Sequence, residues 1–144
     1  MKRSTLAVIL VIAAVAGALC LAWPRLNQVE TGRTPEYPDL QPRSYAAGED
    51  KVGAAVKTAI GGLPRWRVVG AASGAKGTDV QAEHALPLVD LGEDVTVQVR
   101  RQAGRTQVSV LSRSQSMSWD FGQNARNVRQ LLSAVDREME RPAR

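Results

Sequence analysis

Histidine occurs once in this chain, at His84. A serine-based hydrolase needs such a residue, with a serine for it to activate and an acid to orient its ring. Ser112 and Ser114 are the serines to consider, and Asp90 the acid. Nothing in their spacing brings them together, and there is no G-x-S-x-G elbow to expose a serine at a strand-to-helix turn. His84 follows Val80 and Ala82 and precedes Leu86 in an alternating run. The expectation is therefore a strand histidine, satisfied or half-exposed. Asp90, Glu93 and Asp94 form a second group. Acids this close can ligate calcium or work as an acid–base pair. They lack the pattern of a dedicated calcium loop. They read as a solvated loop with charges that deter strand-edge pairing, or as ion-pair partners of Arg113 or a nearby arginine. The third group is Arg113, Asp120 and Asn124. Arg113 and the free amides of a helix start would hold a small anion or a peptide carboxylate. The plainer roles are a cap at Asp120, a turn at Gly122 and backbone satisfaction by Asn124. Trp119 and Phe121 flank Asp120, either stapling the corner to the core or forming an exposed partner contact. The candidate ligand-binding residues are thus Arg113, Asp120 and Asn124, and the candidate partner contacts Trp119 and Phe121. No catalytic residue, metal ligand or cofactor is assigned.

These residues need elements to carry them. Val108 and Val110 alternate with Gln107 and Ser109, the period of a half-buried strand. Trp119-Asp120-Phe121-Gly122 breaks the pattern. Val128, Leu131, Leu132, Val135 and Met139 then recur on one helical face. Upstream, Val52, Ala55, Val56, Ala59, Ile60 and Leu63 predict a helix over 49–63, stopped by Gly61-Gly62 and Pro64. Strands are expected over 66–72, 79–86 and 93–102, with a loop over 87–92 and a hairpin turn at Ala103-Gly104 into the fourth strand. The expected fold class is α+β, in the order helix, four antiparallel strands, helix, with both helices on one face of the sheet.

The chain has 144 residues, enough for one modest domain. Residues 1–5 are a basic head. Residues 6–23, Leu6 to Trp23, carry no charge and predict a membrane-spanning anchor. A cleaved signal peptide ending at Ala14-Val15-Ala16 is the competing reading. Lys2 and Arg3 place the rest of the chain outside the cytoplasm, so the expected location is a single-pass inner-membrane protein with a periplasmic domain. Residues 24–45 contain Pro35, Pro38 and Pro42 and predict a semi-rigid spacer, about 60 Å long if wholly extended. Tyr37, Leu40 and Tyr45 could dock it on the domain. Residues 46–140 form that domain, and 141–144 a basic tail. The formal charge is +5, two units of it from Lys2 and Arg3. That is too small and scattered for nucleic-acid binding. The single Cys20 allows no intramolecular disulfide.

The C-terminal pattern also resembles a bacterial and plastid family, domain of unknown function 1499 (DUF1499). That family ends with a strand of the form R-S-x-S-R, a spacer, D-x-G-x-N and a terminal helix. Ser112-Arg113-Ser114 and Asp120-Phe121-Gly122-Gln123-Asn124 match it. Leu111 and Gln115 stand where the outer arginines would be, and Met117 in place of a glycine. Trp66-Arg67-Val68-Val69 and Asp90…Glu93-Asp94-Val95 are similar to its W-R-V-V and D-D-V segments. The likeness spans roughly residues 45–139 and implies a fold rather than an activity. The resulting expectation is a non-catalytic envelope module that binds a protein or small anionic ligand. The alternatives are an assembly factor for a membrane complex, or a hydrolase using His84 or the Asp90/Glu93/Asp94 cluster.

Overall fold

The computed structural model describes residues 3–86 and 92–141. Most of the loop expected over 87–92, Asp90 with it, lies outside these residues, as do the first two residues and the last three. Helix α1 spans Arg3–Ala22. Residues Ser4–Ala22 have a mean hydropathy of 2.7, and none is buried against the rest of the protein. At about 1.5 Å per residue, α1 is roughly 30 Å long, which with its composition is enough to cross a membrane.

Two short strands follow, β1 (Gln28–Glu30) and β2 (Arg43–Tyr45). Then come α2 (Glu49–Gly62), β3 (Trp66–Gly74), β4 (Gly77–Ala85), β5 (Gly92–Gln102), β6 (Arg105–Ser114) and α3 (Gln123–Glu140). The sheet therefore has six strands instead of the expected four, and the element order differs because two strands enter between α1 and α2. Both pair antiparallel with β6, Val29 opposite Ser112 and Ser44 opposite Gln107. Three-residue strands are too short to display alternation, and the prolines lie in the loop between them, where no ladder amide is required. Residues 24–45 are accordingly no free spacer. Val29 and Leu40 are buried, and Tyr37 and Tyr45 pack against the core. Thr31 also bonds Val110 twice, through its amide to the carbonyl and from the Val110 amide to its hydroxyl, each 3.0 Å.

The strands run β1-β6-β5-β4-β3, with β2 also on β6, all antiparallel. Alternation buries one face: Val80 and Ala82 of β4, Val95, Val97 and Val99 of β5, Val108 and Val110 of β6. Helices α2 and α3 lie side by side on that face. They contribute Val52, Val56 and Ile60, and Val128, Leu131, Leu132 and Val135. Each fully buried aliphatic side chain of this kind contributes about 1.5–3 kcal/mol. The β5–β6 turn has Ala103 and Gly104 both at positive φ, 48° and 78°. That matches the mirror-image turn whose twist suits a two-residue hairpin.

Candidate functional site

At one end of the sheet the buried face stops being aliphatic. Across four strands, Trp66 pairs with His84, His84 with Glu93, and Glu93 with Ser114. Alternation puts all four on the helix side, where each is buried. Glu93 is 0% exposed and His84 4%. Glu93 Oε2 lies 3.0 Å from His84 Nδ1, which donates to it. The rings of His84 and Trp66 sit 5.3 Å apart, tilted by 40°.

Helix α3 lays two asparagines over this row. The Asn127 amide donates to the same Glu93 oxygen and, at 3.3 Å, to Ser112 Oγ, while its Oδ1 accepts from Gln123 Nε2. Asn124 accepts from Ser112 Oγ at 2.7 Å and donates to Ser114 Oγ and to the Asn27 carbonyl. A buried carboxylate is tolerable only with such partners, because it forfeits its hydration. The set is incomplete. Among the described residues Glu93 Oε1 and Trp66 Nε1 are buried with no partner, each at a cost of about 1–3 kcal/mol.

Beside the Trp66–His84 end is a cleft of about 540 Å³, lined by Arg65, Trp66, Arg67, Glu83, His84 and Gln115 among others. Arg67 is bound to Glu83, with Nε 2.9 Å from Oε2. Arg65 forms no ion pair among the described residues and holds φ at +63°. A non-glycine residue in that region costs about 1–2 kcal/mol, and such strain persists where surrounding structure imposes it. Because Nδ1 donates to Glu93, Nε2 is the nitrogen His84 has available to the cleft. It presents a lone pair when the ring is neutral and an N–H when it is doubly protonated.

The candidate residues read from sequence do not assemble into one site. Arg113 alternates onto the exposed face of β6, opposite Asp94 of β5. Asp120 and Asn124 are buried on the other side. The acidic cluster is likewise divided. Glu93 turns inward, which corrects the expectation of a solvated charge. Asp94 turns outward, where it accepts from Gln115 Nε2 at 2.8 Å. Asp120 does cap α3, from two residues before the N-cap Gly122. Its two oxygens accept from the amides of Gly122 and Asn124 at 2.9 and 2.7 Å, so the helix start already holds a carboxylate.

Trp119 and Phe121 stack on each other with centroids 4.1 Å apart. They meet the stretch leaving α1. Trp119 Nε1 donates to the Pro24 carbonyl at 3.1 Å, and the Arg25 guanidinium lies over the Trp119 ring. Trp23 packs so closely on Gly122 that a Cβ there would stand 2.7 Å from its Nε1. Phe121 is 51% exposed.

The sequence model of the family described as "Protein of unknown function (DUF1499)" matches residues 18–135. The chain belongs to the DUF1499 family. No curated protein matches it. Among solved structures it is similar to Chr148 from Cytophaga hutchinsonii, determined in solution, at 12% identity and a TM-score of 0.31. The match covers 80% of this chain and 90% of that one. In this DUF1499 chain the residues that carry the family likeness build the end of the sheet. Ser112 and Ser114 bond Asn124, and Asp120 caps the helix that delivers Asn124 and Asn127. Asn127 was not singled out from the sequence. The available signal was its polar side chain just before Val128, on the face α3 buries.

Proposed function

We propose that this DUF1499 chain is a membrane-anchored binding domain that holds a small anionic ligand in the cleft beside Trp66 and His84. The observation that carries the reading is the buried His84–Glu93 pair, with Nε2 left available to a cleft that also contains the strained Arg65, which forms no ion pair among the described residues. A guanidinium is a donor of the kind an acid or phosphate takes, and Nε2 adds a second N–H when the ring is doubly protonated. The length and composition of α1 support the anchor, and the notion of a periplasmic domain follows from Lys2 and Arg3 ahead of it.

His84 is the only histidine, so its imidazole signals in an NMR spectrum are unambiguous. In full-length protein held in detergent micelles, titration with acetate, inorganic phosphate and glycerol phosphate is expected to shift those signals saturably, and Arg65→Gln to weaken the shift at least tenfold. Signals that do not move at tens of millimolar of any of the three would refute the reading.

A second reading is favoured by the same 3.0 Å contact: His84, oriented by Glu93, as a general base that activates water in a hydrolase. An acid hydrogen-bonded to Nδ1 fixes the tautomer in which Nε2 accepts a proton. Turnover of an ester or phosphoester panel that disappears in His84→Asn would favour this reading, and an inactive wild type would remove it.

A further inference from the structure

The cleft lies at a particular end of the molecule. The row Trp66–His84–Glu93–Ser114 is continued by the Ser114 amide, which donates to the Asn27 carbonyl at 2.9 Å. From Asn27 the chain runs back through Leu26, whose carbonyl takes the Asp120 amide at 3.0 Å, to Pro24, Trp23 and α1. The polar row is therefore at the end of the sheet nearest the exit of α1. Neighbouring strands stand about 4.8 Å apart, so His84 on β4 is three spacings, roughly 14 Å, from β1.

The same end carries exposed aromatic and cationic groups. Trp23 is 41% exposed and Phe121 51%. Arg25 lies over Trp119, and the exposed Arg126 donates to the Phe121 carbonyl at 3.2 Å. Aromatic rings at the end of an apolar helix, with arginines beside them, match the layer of lipid headgroups. The Trp23–Gly122 contact and the Trp119–Pro24 bond hold the corner against the helix exit, so this end of the domain lies beside the point where α1 leaves it.

We propose that the anion taken by the cleft is the phosphate of an anionic phospholipid headgroup, presented from the bilayer that holds α1. This rests on the binding reading above and adds the source of the ligand. The lipid phosphate meets Arg65 and His84 Nε2, while Trp23, Phe121, Arg25 and Arg126 hold the domain's end at headgroup level.

The test uses full-length protein in nanodiscs of phosphatidylcholine alone or with phosphatidylglycerol at stepped mole fractions, reading the His84 imidazole signals. A soluble arm adds glycerol phosphate to the phosphatidylcholine discs. Saturable shifts with phosphatidylglycerol are expected, at least tenfold weaker in Arg65→Gln and unchanged in Arg105→Gln, which lies at the opposite end of β6. Shifts with glycerol phosphate but none with phosphatidylglycerol would overturn the lipid source and leave the cleft reading standing. Shifts with phosphatidylglycerol that Arg65→Gln does not weaken would mean bulk surface charge alone and would also overturn the proposal. Silence in both arms would remove the cleft reading as well.

Discussion

Replacing Glu93 by alanine is the sharpest test of the buried row. Glu93 is fully buried, and one of its oxygens takes donors from His84 and Asn127. Removing the carboxylate strands both donors where water does not reach, at about 1–3 kcal/mol each. The partnerless Oε1 disappears at the same time, which returns roughly 1 kcal/mol. The net cost is about 3 kcal/mol, at the low end of what breaking one side of a buried pair costs. For a domain of this size that corresponds to a fall in Tm of about 12 °C. Glu93→Gln keeps one oxygen for the two donors and is expected to cost only about 1 kcal/mol, one hydrogen bond's net worth. The double variant His84→Ala/Glu93→Ala should cost less than the sum of its single changes, because the two groups share one bond. Thermal unfolding of the full chain in micelles, followed by near-ultraviolet dichroism of the tryptophans, measures all four. A Glu93→Ala protein within about 0.5 kcal/mol of the parent, the level of an ordinary surface change, would mean the carboxylate is neither buried nor paired as described.

Asp120→Ala removes two amide bonds at the start of α3 and is expected to cost about 2 kcal/mol, the upper range for a cap; an unchanged Tm would contradict the capping role. Gly122→Ala places a methyl against Trp23 in a left-handed backbone, φ +76°. It should cost at least 1 kcal/mol and, by dislodging Trp23, move tryptophan emission to the red; unaltered emission would refute the packing. Burial and then the Asp136 carboxylate, which accepts from the Tyr45 hydroxyl at 2.6 Å, push the Tyr45 phenol well above its usual 10.0. The folded state thus keeps this proton longer than the unfolded state does. Stability from this group is complete below about pH 10 and is lost as pH rises beyond it. Tyr45→Phe should flatten the alkaline limb of a stability–pH curve, and an identical limb in both proteins would exclude Tyr45 as its source.

Strands β4 to β6 and helices α2 and α3 were legible because their apolar spacing is regular over nine residues or more, and β3 because Pro64 and the Ser73-Gly74 turn bound it. Val95, Val97 and Val99 alternate without interruption, and Val128, Leu131, Leu132 and Val135 hold one helical face. Strands β1 and β2 were not legible, since three residues cannot show a period and a proline-rich loop surrounds them. Glu93 was misread for a different reason. Its neighbours Asp90 and Asp94 suggest solvent, and only the register that sets it beside His84 and beneath Asn127 shows why it turns inward. Local charge gives the common fate of a glutamate, while the partners that reverse it lie on another strand and on a helix more than thirty residues away. Asp120 was read correctly as a cap because its partners are its own near neighbours. Arg113 and Asn124 were grouped with it by sequence proximity; alternation along β6 turns Arg113 to the opposite face, while Asn124 stays beside Asp120.

The join between α1 and the sheet has a mechanical consequence. Only five residues, Trp23 to Asn27, separate the last turn of the helix from β1. Pulled taut they reach roughly 20 Å, and Trp23, Pro24 and Leu26 are already pinned to the α3 corner. The body therefore has no leash on which to search its surroundings. A tilt or torque on the rod passes through this short join into β1 and its neighbour β6.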